Sequence, residues 1–205
     1  MAIAFDGAND YVDMGDVADV TSVVTLCAWV NPTAAVQNTW FIGKDHDTQG
    51  RSFAWGQHIT AGKIEMQVAG TNPSAFSTTA LTAGVWQHVA VTHDNAADAV
   101  AYFLNGAADG TATQTGDLLN VAASLNIGRR SYTGANAYFD GQLEDVRIYD
   151  RILTADEIAI LAAGYCGPLG GEIGWWACNN FRGVTHPDGT TLTAATNYLR
   201  DESGN

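Results

Sequence analysis

Short stretches in which apolar and polar residues alternate, each closed by a turn signal, recur along this chain and leave few architectures open to it. In Val24-Thr25-Leu26-Cys27-Ala28-Trp29-Val30, the residues Val24, Leu26, Ala28 and Val30 fall on one face, and Pro32 ends the run. Ile64, Met66 and Val68 alternate with Lys63, Glu65 and Gln67, the pattern of a strand with one wet face. Trp86–Thr92 and Val100–Leu104 follow, joined by the polar turn Asp94–Asp98, and Asn105-Gly106 is a tight-turn dipeptide leading into a further hairpin. Strands are also expected at Phe53–Trp55, Ser124–Ile127 and Gly141–Tyr149. One helix fits the pattern. Thr154-Ala155-Asp156-Glu157 makes a capping box, Ile158, Ile160 and Leu161 supply apolar contacts, and Gly164 is the stop. Many turn-separated strands with a single helix point to a two-sheet sandwich, and 205 residues suffice for one sizeable core.

Charge narrows the partners. Nine Lys and Arg against 22 Asp and Glu give a formal net charge of −13, and the basic residues form no cluster. A phosphate-binding face needs such a cluster, so nucleic acid and anionic membrane are excluded as partners. No apolar run is long enough to span a bilayer, and no basic n-region or apolar h-region follows Met1. The three cysteines match no zinc spacing. Cys27 lies in an apolar strand pattern and reads as a small buried hydrophobe. Cys166 and Cys178 flank a Gly-Pro-Leu-Gly-Gly turn and either meet across it or stay free thiols.

Five segments, in order, resemble the laminin-G-like jelly roll of the concanavalin-A-like superfamily. They are Phe5-Asp6-Gly7 with Asp10-Tyr11-Val12, then Leu26–Val30, then Trp86–Thr92, which is similar to a WHHVAVT strand. Tyr102–Gly106 is similar to the YVDG hairpin that follows, and Phe139–Arg151 with Leu153-Thr154 and Glu157-Ile158 is the nearest match. The family's usual first strand, of the form GWWxxDxxxGTxxxDxSGN, also has a counterpart here, but out of place. Gly174-Trp175-Trp176, Gly189–Leu192 and Asp201-Glu202-Ser203-Gly204-Asn205 carry it, at the C-terminus. The resemblance implies an all-β, two-sheet antiparallel jelly-roll sandwich with one short helix, its first family strand displaced to the C-terminus. Residues 1–163 then form the sandwich, and residues 164–205 supply the missing strand to their own domain or to a neighbour's. Closure within the chain is the favoured alternative, and Gly164–Gly171 is the candidate hinge.

The family often holds calcium, and oxygen-bearing side chains crowd the matching segments. Asp6, Asn9, Asp10, Asp140, Asp145 and Asp201 are the candidate metal residues, with Asp6, Asn9 and Asp10 expected at one end and Asp140, Glu144 and Asp145 at the other. Against this, Asp6 and Asp140 suit the capping of FDG turns, and Asp145 suits an ion pair with Arg147 or Arg151. Trp40, Trp55, Tyr132 and Tyr138 fall near expected loops or strand ends and are candidates for stacking on sugar rings, whereas Trp29, Trp86 and Trp175 read as core. His88 is expected to pack between the sheets, and His46 with Asp45 and Asp47 forms a polar loop. Alternation sends Glu144 and Asp145 to opposite faces, so they make no acid–nucleophile pair. With no GxSxG, P-loop or dinucleotide fingerprint, the chain is expected not to be an enzyme.

Two function classes fit. Such modules generally work outside cells, yet no export signal follows Met1, and a virion component leaves by lysis. The sequence therefore reads first as a virion structural protein, a capsid decoration or fibre-associated subunit with accompanying glycan adhesion. Its partners would be other virion proteins, copies of itself and surface glycans, and its location the virion or the extracellular space. The alternative is a calcium-assisted carbohydrate-binding module of an extracellular or cell-surface system.

Overall fold

A computed structural model describes residues 2–35, 38–46, 48–58, 62–69, 76–130 and 137–176. In chain order the strands are β1 (Ile3–Asp6), β2 (Val12–Asp13), β3 (Val23–Pro32), β4 (Thr39–His46), β5 (Gly50–Gln57), β6 (Ile64–Gln67), β7 (Gln87–Asp94), β8 (Ala99–Leu104), β9 (Ala107–Thr113), β10 (Asn126–Ile127), β11 (Asp140–Tyr149) and β12 (Glu172–Trp176). The helix α1 (Ala155–Ala162) precedes β12. One sheet runs β1-β11-β3-β7-β8-β9, with β12 also on β11, and the other runs β2-β10-β4-β5-β6. All the named pairings are antiparallel, so the fold is the expected jelly-roll sandwich.

The register shows why alternation closes this fold. Val12, Ile127, Ile42, Trp55 and Met66 face one another across the smaller sheet, and all turn inward to the core. Across the larger sheet Ile148, Leu26, Val91 and Tyr102 make the opposing row. The layers are joined by an aromatic train. Phe5 packs on Phe139, and Phe41 meets both Phe139 and Trp55 edge-on, at 5.1 and 5.3 Å. The Tyr102 hydroxyl crosses the core to accept the Met66 amide at 3.3 Å.

A second apolar cluster lies outside the larger sheet. Cys27, Ala90, Phe103 and Tyr149 turn away from the sandwich and are covered by Leu153, Ile158 and Leu161. Both halves of the expected capping box form: Thr154 Oγ1 accepts the Glu157 amide, and the Glu157 carboxylate accepts the Thr154 amide. Ile160 departs from expectation. It is 47% exposed, because only Ile158 and Leu161 fall on the stripe facing the sheet.

The chain's last described strand completes the edge of β11. Glu172–Trp176 lies along Tyr149–Val146, and Ile3–Asp6 lies along Leu143–Asp140, so the two segments run end to end on the same side of β11. Trp176 thus stops where Ile3 begins. Gly174 makes the Trp-Trp pair fit: a Cβ there would stand 2.3 Å from the indole of Trp176, which folds back into the core. Trp175 points to the opposite face, against the fully buried Arg147 guanidinium at 4.1 Å.

Two arginines fasten the crossing that leads to β12. Arg147 donates to the carbonyls of Gly167 and Tyr165 and to Asp145. Arg151 donates to the carbonyls of Gly170 and Leu169 while gripping Glu157 with both terminal nitrogens, at 2.9 and 2.8 Å. The Gly164–Gly171 segment is therefore held against its own sheet. Cys166 is exposed, its thiol donating to the Gly164 carbonyl, and its suggested partner Cys178 lies outside the described residues.

Candidate functional site

The outward face of the smaller sheet is polar, and the register explains its content. Asp13, Asn126, Gly43, Ala54 and Gln67 form the row beside the inward one, one residue along each strand. Glu65 and Gln67 are therefore outward, as alternation requires, but they are not wet: Glu65 is 2% exposed. Arg51 bridges Asp45 and Gln67 at 2.8 and 2.6 Å, Gln67 donates to Glu65, and Arg130 reaches the other Asp45 oxygen at 3.1 Å. Burial pushes both the Asp45 and Glu65 carboxyls above their usual range, and the guanidiniums of Arg51 and Arg130 pull against it. Two carboxyl groups and two guanidiniums are thus linked in one buried polar pad, with Gln67 joining Glu65 to Arg51.

Arg130 reaches this pad because of a glycine. A Cβ on Gly43 would lie 2.8 Å from the Arg130 Cα and 3.3 Å from the Arg129 carbonyl oxygen, so only glycine lets that backbone rest on the sheet. The same segment is closed against Phe139 at a neck. Gly128 donates to the Phe41 carbonyl, and Phe139 donates back to the Gly128 carbonyl, both at 2.8 Å. Arg129 and Tyr138 are the first residues beyond that neck on either side, which sets them facing each other. Gly7 donates to the Phe139 carbonyl, drawing the N-terminal turn alongside.

Tyr11 enters from that turn. The residue is 42% exposed, the Arg129 guanidinium lies 3.5 Å over its ring centroid, and the Tyr138 ring stands 6.4 Å away, tilted by 45°. Arg129 is 5.9 Å from the Tyr138 ring, and its Nε donates to Asn126 Oδ1. Two half-open phenol rings around a guanidinium can stack on a flat apolar surface and donate hydrogen bonds beside it.

The aromatic candidates divide accordingly. Tyr138 belongs to this cluster. Trp55 does not: it is wholly buried in the inward row and offers no face to a ligand. Trp40 is on the outward side but only 4% exposed, beneath the Arg130 guanidinium at 5.2 Å. Tyr132 lies outside the described residues. Tyr11 and Arg129 were missed, and the available signal was the Gly128-Arg129-Arg130 run next to the FDG-type turn.

The candidate metal residues also rearrange. Asp6 and Asp140 are register partners, so they share one end of the larger sheet instead of lying at opposite ends. Asp6 Oδ1 accepts the amides of Ala8 and Asn9, which hold its carboxyl below the usual range, and Asp10 Oδ2 accepts the Asp6 amide. Those bonds build a turn. Asp145 is elsewhere on β11, accepting from Arg147 Nε at 3.0 Å and from Trp175 Nε1 at 2.7 Å. Asp201 lies outside the described residues, and among those residues no group of three or more His, Cys, Asp or Glu is placed to hold a metal ion. The described side chains therefore do not fit a calcium shell of six to eight oxygens.

Three expectations about the larger sheet are corrected. A β-bulge between Glu144 and Arg147, with Asp145 at φ +51°, breaks the alternation. Glu144 and Asp145 consequently both face outward, Glu144 opposite Trp29 and Asp145 toward Trp175. Trp29 and His88 also lie on this outer side, as register partners stacked edge-on at 5.5 Å, and not between the sheets. Trp175 is buried as expected, but on the outward side, against Arg147. Burial drives His88 down to about 3, so it is neutral at physiological pH.

A family model for the concanavalin A-like lectin/glucanase superfamily, of laminin-G type, matches residues 6–159. The chain belongs to this superfamily. Among solved structures it is similar to a heptameric SAP-like pentraxin from Limulus polyphemus, at 18% identity and TM-score 0.65, over 78% of this chain and 81% of that one. A putative carbohydrate-binding protein from Bacteroides ovatus superposes at TM-score 0.69 and 19% identity, over 86% of this chain and half of that one. Domain 4 of an extracellular GH43 arabinanase from Geobacillus stearothermophilus, in complex with arabinotriose, superposes at TM-score 0.61 and 21% identity, over 78% and 76% of the two chains. No curated protein matches the chain. No helix among the described residues is long and apolar enough to cross a membrane.

Proposed function

We propose that this protein is a non-enzymatic carbohydrate-binding module. Its binding site is the Tyr11–Arg129–Tyr138 cluster on the outward side of the β2-β10-β4-β5-β6 sheet. The observation that carries this reading is the pair of phenol rings 6.4 Å apart, Tyr11 exposed and Tyr138 partly exposed, with the Arg129 guanidinium over the Tyr11 ring. Sugar rings present flat C–H faces that stack on aromatics and hydroxyls that take hydrogen bonds from a guanidinium. Superfamily membership and the likeness to carbohydrate-binding structures support the same class. None of the three structures above is a virion protein, and no feature of the fold favours the virion reading over glycan binding.

The outward carboxylates of β11 support a binding role over a hydrolytic one. Asp145 is committed to Arg147 and Trp175, and Glu144 is 5% exposed. A glycosidase needs two carboxyls free to flank a scissile bond.

The test is a broad glycan array probed with the full chain and with Tyr11→Ala and Tyr138→Ala variants, with calcium and again with excess chelator. Selective binding that falls at least about fivefold in either variant supports the site, since one stacked ring contributes roughly 1 kcal/mol or more. Recognition through phenols and a guanidinium is expected to be unchanged by chelator. Silence across the array overturns the reading.

A further inference from the structure

Arg129 differs from every other described arginine. Arg51 and Arg130 share Asp45, Arg147 pairs with Asp145, and Arg151 pairs with Glu157. Arg129 has no carboxylate within ion-pair distance among the described residues, although the chain carries 22 acidic residues. Its one hydrogen bond uses Nε, toward Asn126. The two terminal nitrogens, which present the planar fork of the guanidinium, are left without a protein acceptor there. Meanwhile the group is held in place: Tyr11 lies under it at 3.5 Å, and its backbone is pinned by the Gly128–Phe139 neck and by Arg130 on the pad. A partly exposed guanidinium held between two aromatic rings, with no ion-pair partner among the described residues, is a receptor for a planar anion.

Resting on the glycan-binding reading, we infer that this site selects acidic sugars, with the carboxylate of a uronic or sialic acid residue bound to the Arg129 fork. The ring that bears this carboxylate stacks on Tyr11 or Tyr138. Net charge sharpens the inference. A protein at −13 repels polyanions at long range, so an acidic glycan is retained only by a local site that outweighs that field. The Tyr–Arg–Tyr cluster supplies one, because a charge-assisted bidentate contact is stronger than a neutral hydrogen bond and is preorganised by stacking.

The experiment is calorimetric titration of the full chain with three probes, each paired with a neutral counterpart. These are oligogalacturonate against its carboxyl-reduced form, a glucuronate-terminated oligosaccharide against its methyl ester, and sialyllactose against lactose. The expected result is that at least one acid binds about tenfold or more tighter than its counterpart, and which pair shows it distinguishes uronate from sialate. Arg129→Gln then lowers that affinity about tenfold, to the level of the neutral counterpart, while Arg129→Lys restores only part of it because an ammonium lacks the fork. Thermal melts of both variants check that they remain folded. Equal affinity for acids and counterparts overturns the inference and leaves the glycan-binding reading standing, as does an acid preference that survives in Arg129→Gln. Binding to no glycan, acidic or neutral, overturns both.

Discussion

Arg147→Met tests whether the crossing to β12 is held as tightly as its contacts imply. The Arg147 side chain is fully buried and engages Asp145, the carbonyls of Gly167 and Tyr165, and the Trp175 ring. Methionine keeps much of the packing but removes the charge and all three donated bonds. Asp145, whose side chain is only 16% exposed, would keep the Trp175 indole as a donor and lose its counter-ion. Removing one partner of a buried pair costs about 3–5 kcal/mol, because the other charge stays desolvated. For a domain of this size that is a fall in Tm on the order of 10 °C. Differential scanning calorimetry measures it, and limited proteolysis adds the local readout: the variant should be cleaved within 164–171 under conditions that spare the parent. The double variant with Asp145→Asn should recover part of the loss, since the stranded charge is gone. A loss below about 1 kcal/mol with unchanged proteolysis would refute the reasoning, and would mean that strand pairing alone fixes β12.

Gly174→Ala places a Cβ 2.3 Å from the Trp176 ring, so chemical denaturation should show a loss of roughly 1–3 kcal/mol from the displaced indole. Gly43→Ala forces the Arg129–Arg130 backbone off the sheet, and glycan affinity should fall about tenfold with far-UV circular dichroism unchanged. His88 has its folded-state pKa depressed by burial from 6.5 to about 3, so the stability it contributes is complete above pH 6.5 and is lost as pH falls toward 3. Over that window His88→Gln should show a flatter stability–pH profile, by up to about 1.4 kcal/mol per pH unit, and parallel profiles would count against the burial argument. Glu157, held down to about 2 by Arg151, should matter much less: both side chains are partly exposed, so Glu157→Gln is expected to cost under about 1 kcal/mol by urea titration at pH 7.

By itself the sequence determined most of the strands, the capped helix, the two-layer class and the family resemblance, although it put Asp45 and His46 in a polar loop where β4 runs through both. Each depends on neighbours a few residues apart: alternation in Val24–Val30, the Thr154–Glu157 box, the Asn105-Gly106 turn. The inward rows follow directly, because a side chain two residues along a regular strand must return to the same face. Where regularity broke, the sequence misled. The bulge at Asp145 turned two neighbouring carboxylates to one side, and no residue type announces a bulge formed by a non-glycine residue at positive φ. Alternation also places Glu65, Trp29 and His88 on outward faces without saying what covers them, so polarity was taken for solvation and size for core. Only the tertiary structure put Tyr11 beside Arg129 and Tyr138, residues more than a hundred positions apart joined at a neck and a turn. It alone placed Trp176 end to end with Ile3 along β11. Periodicity reports which face a residue occupies, whereas a site is made by segments that meet through long-range pairing, and that pairing is set by the whole sandwich closing at once.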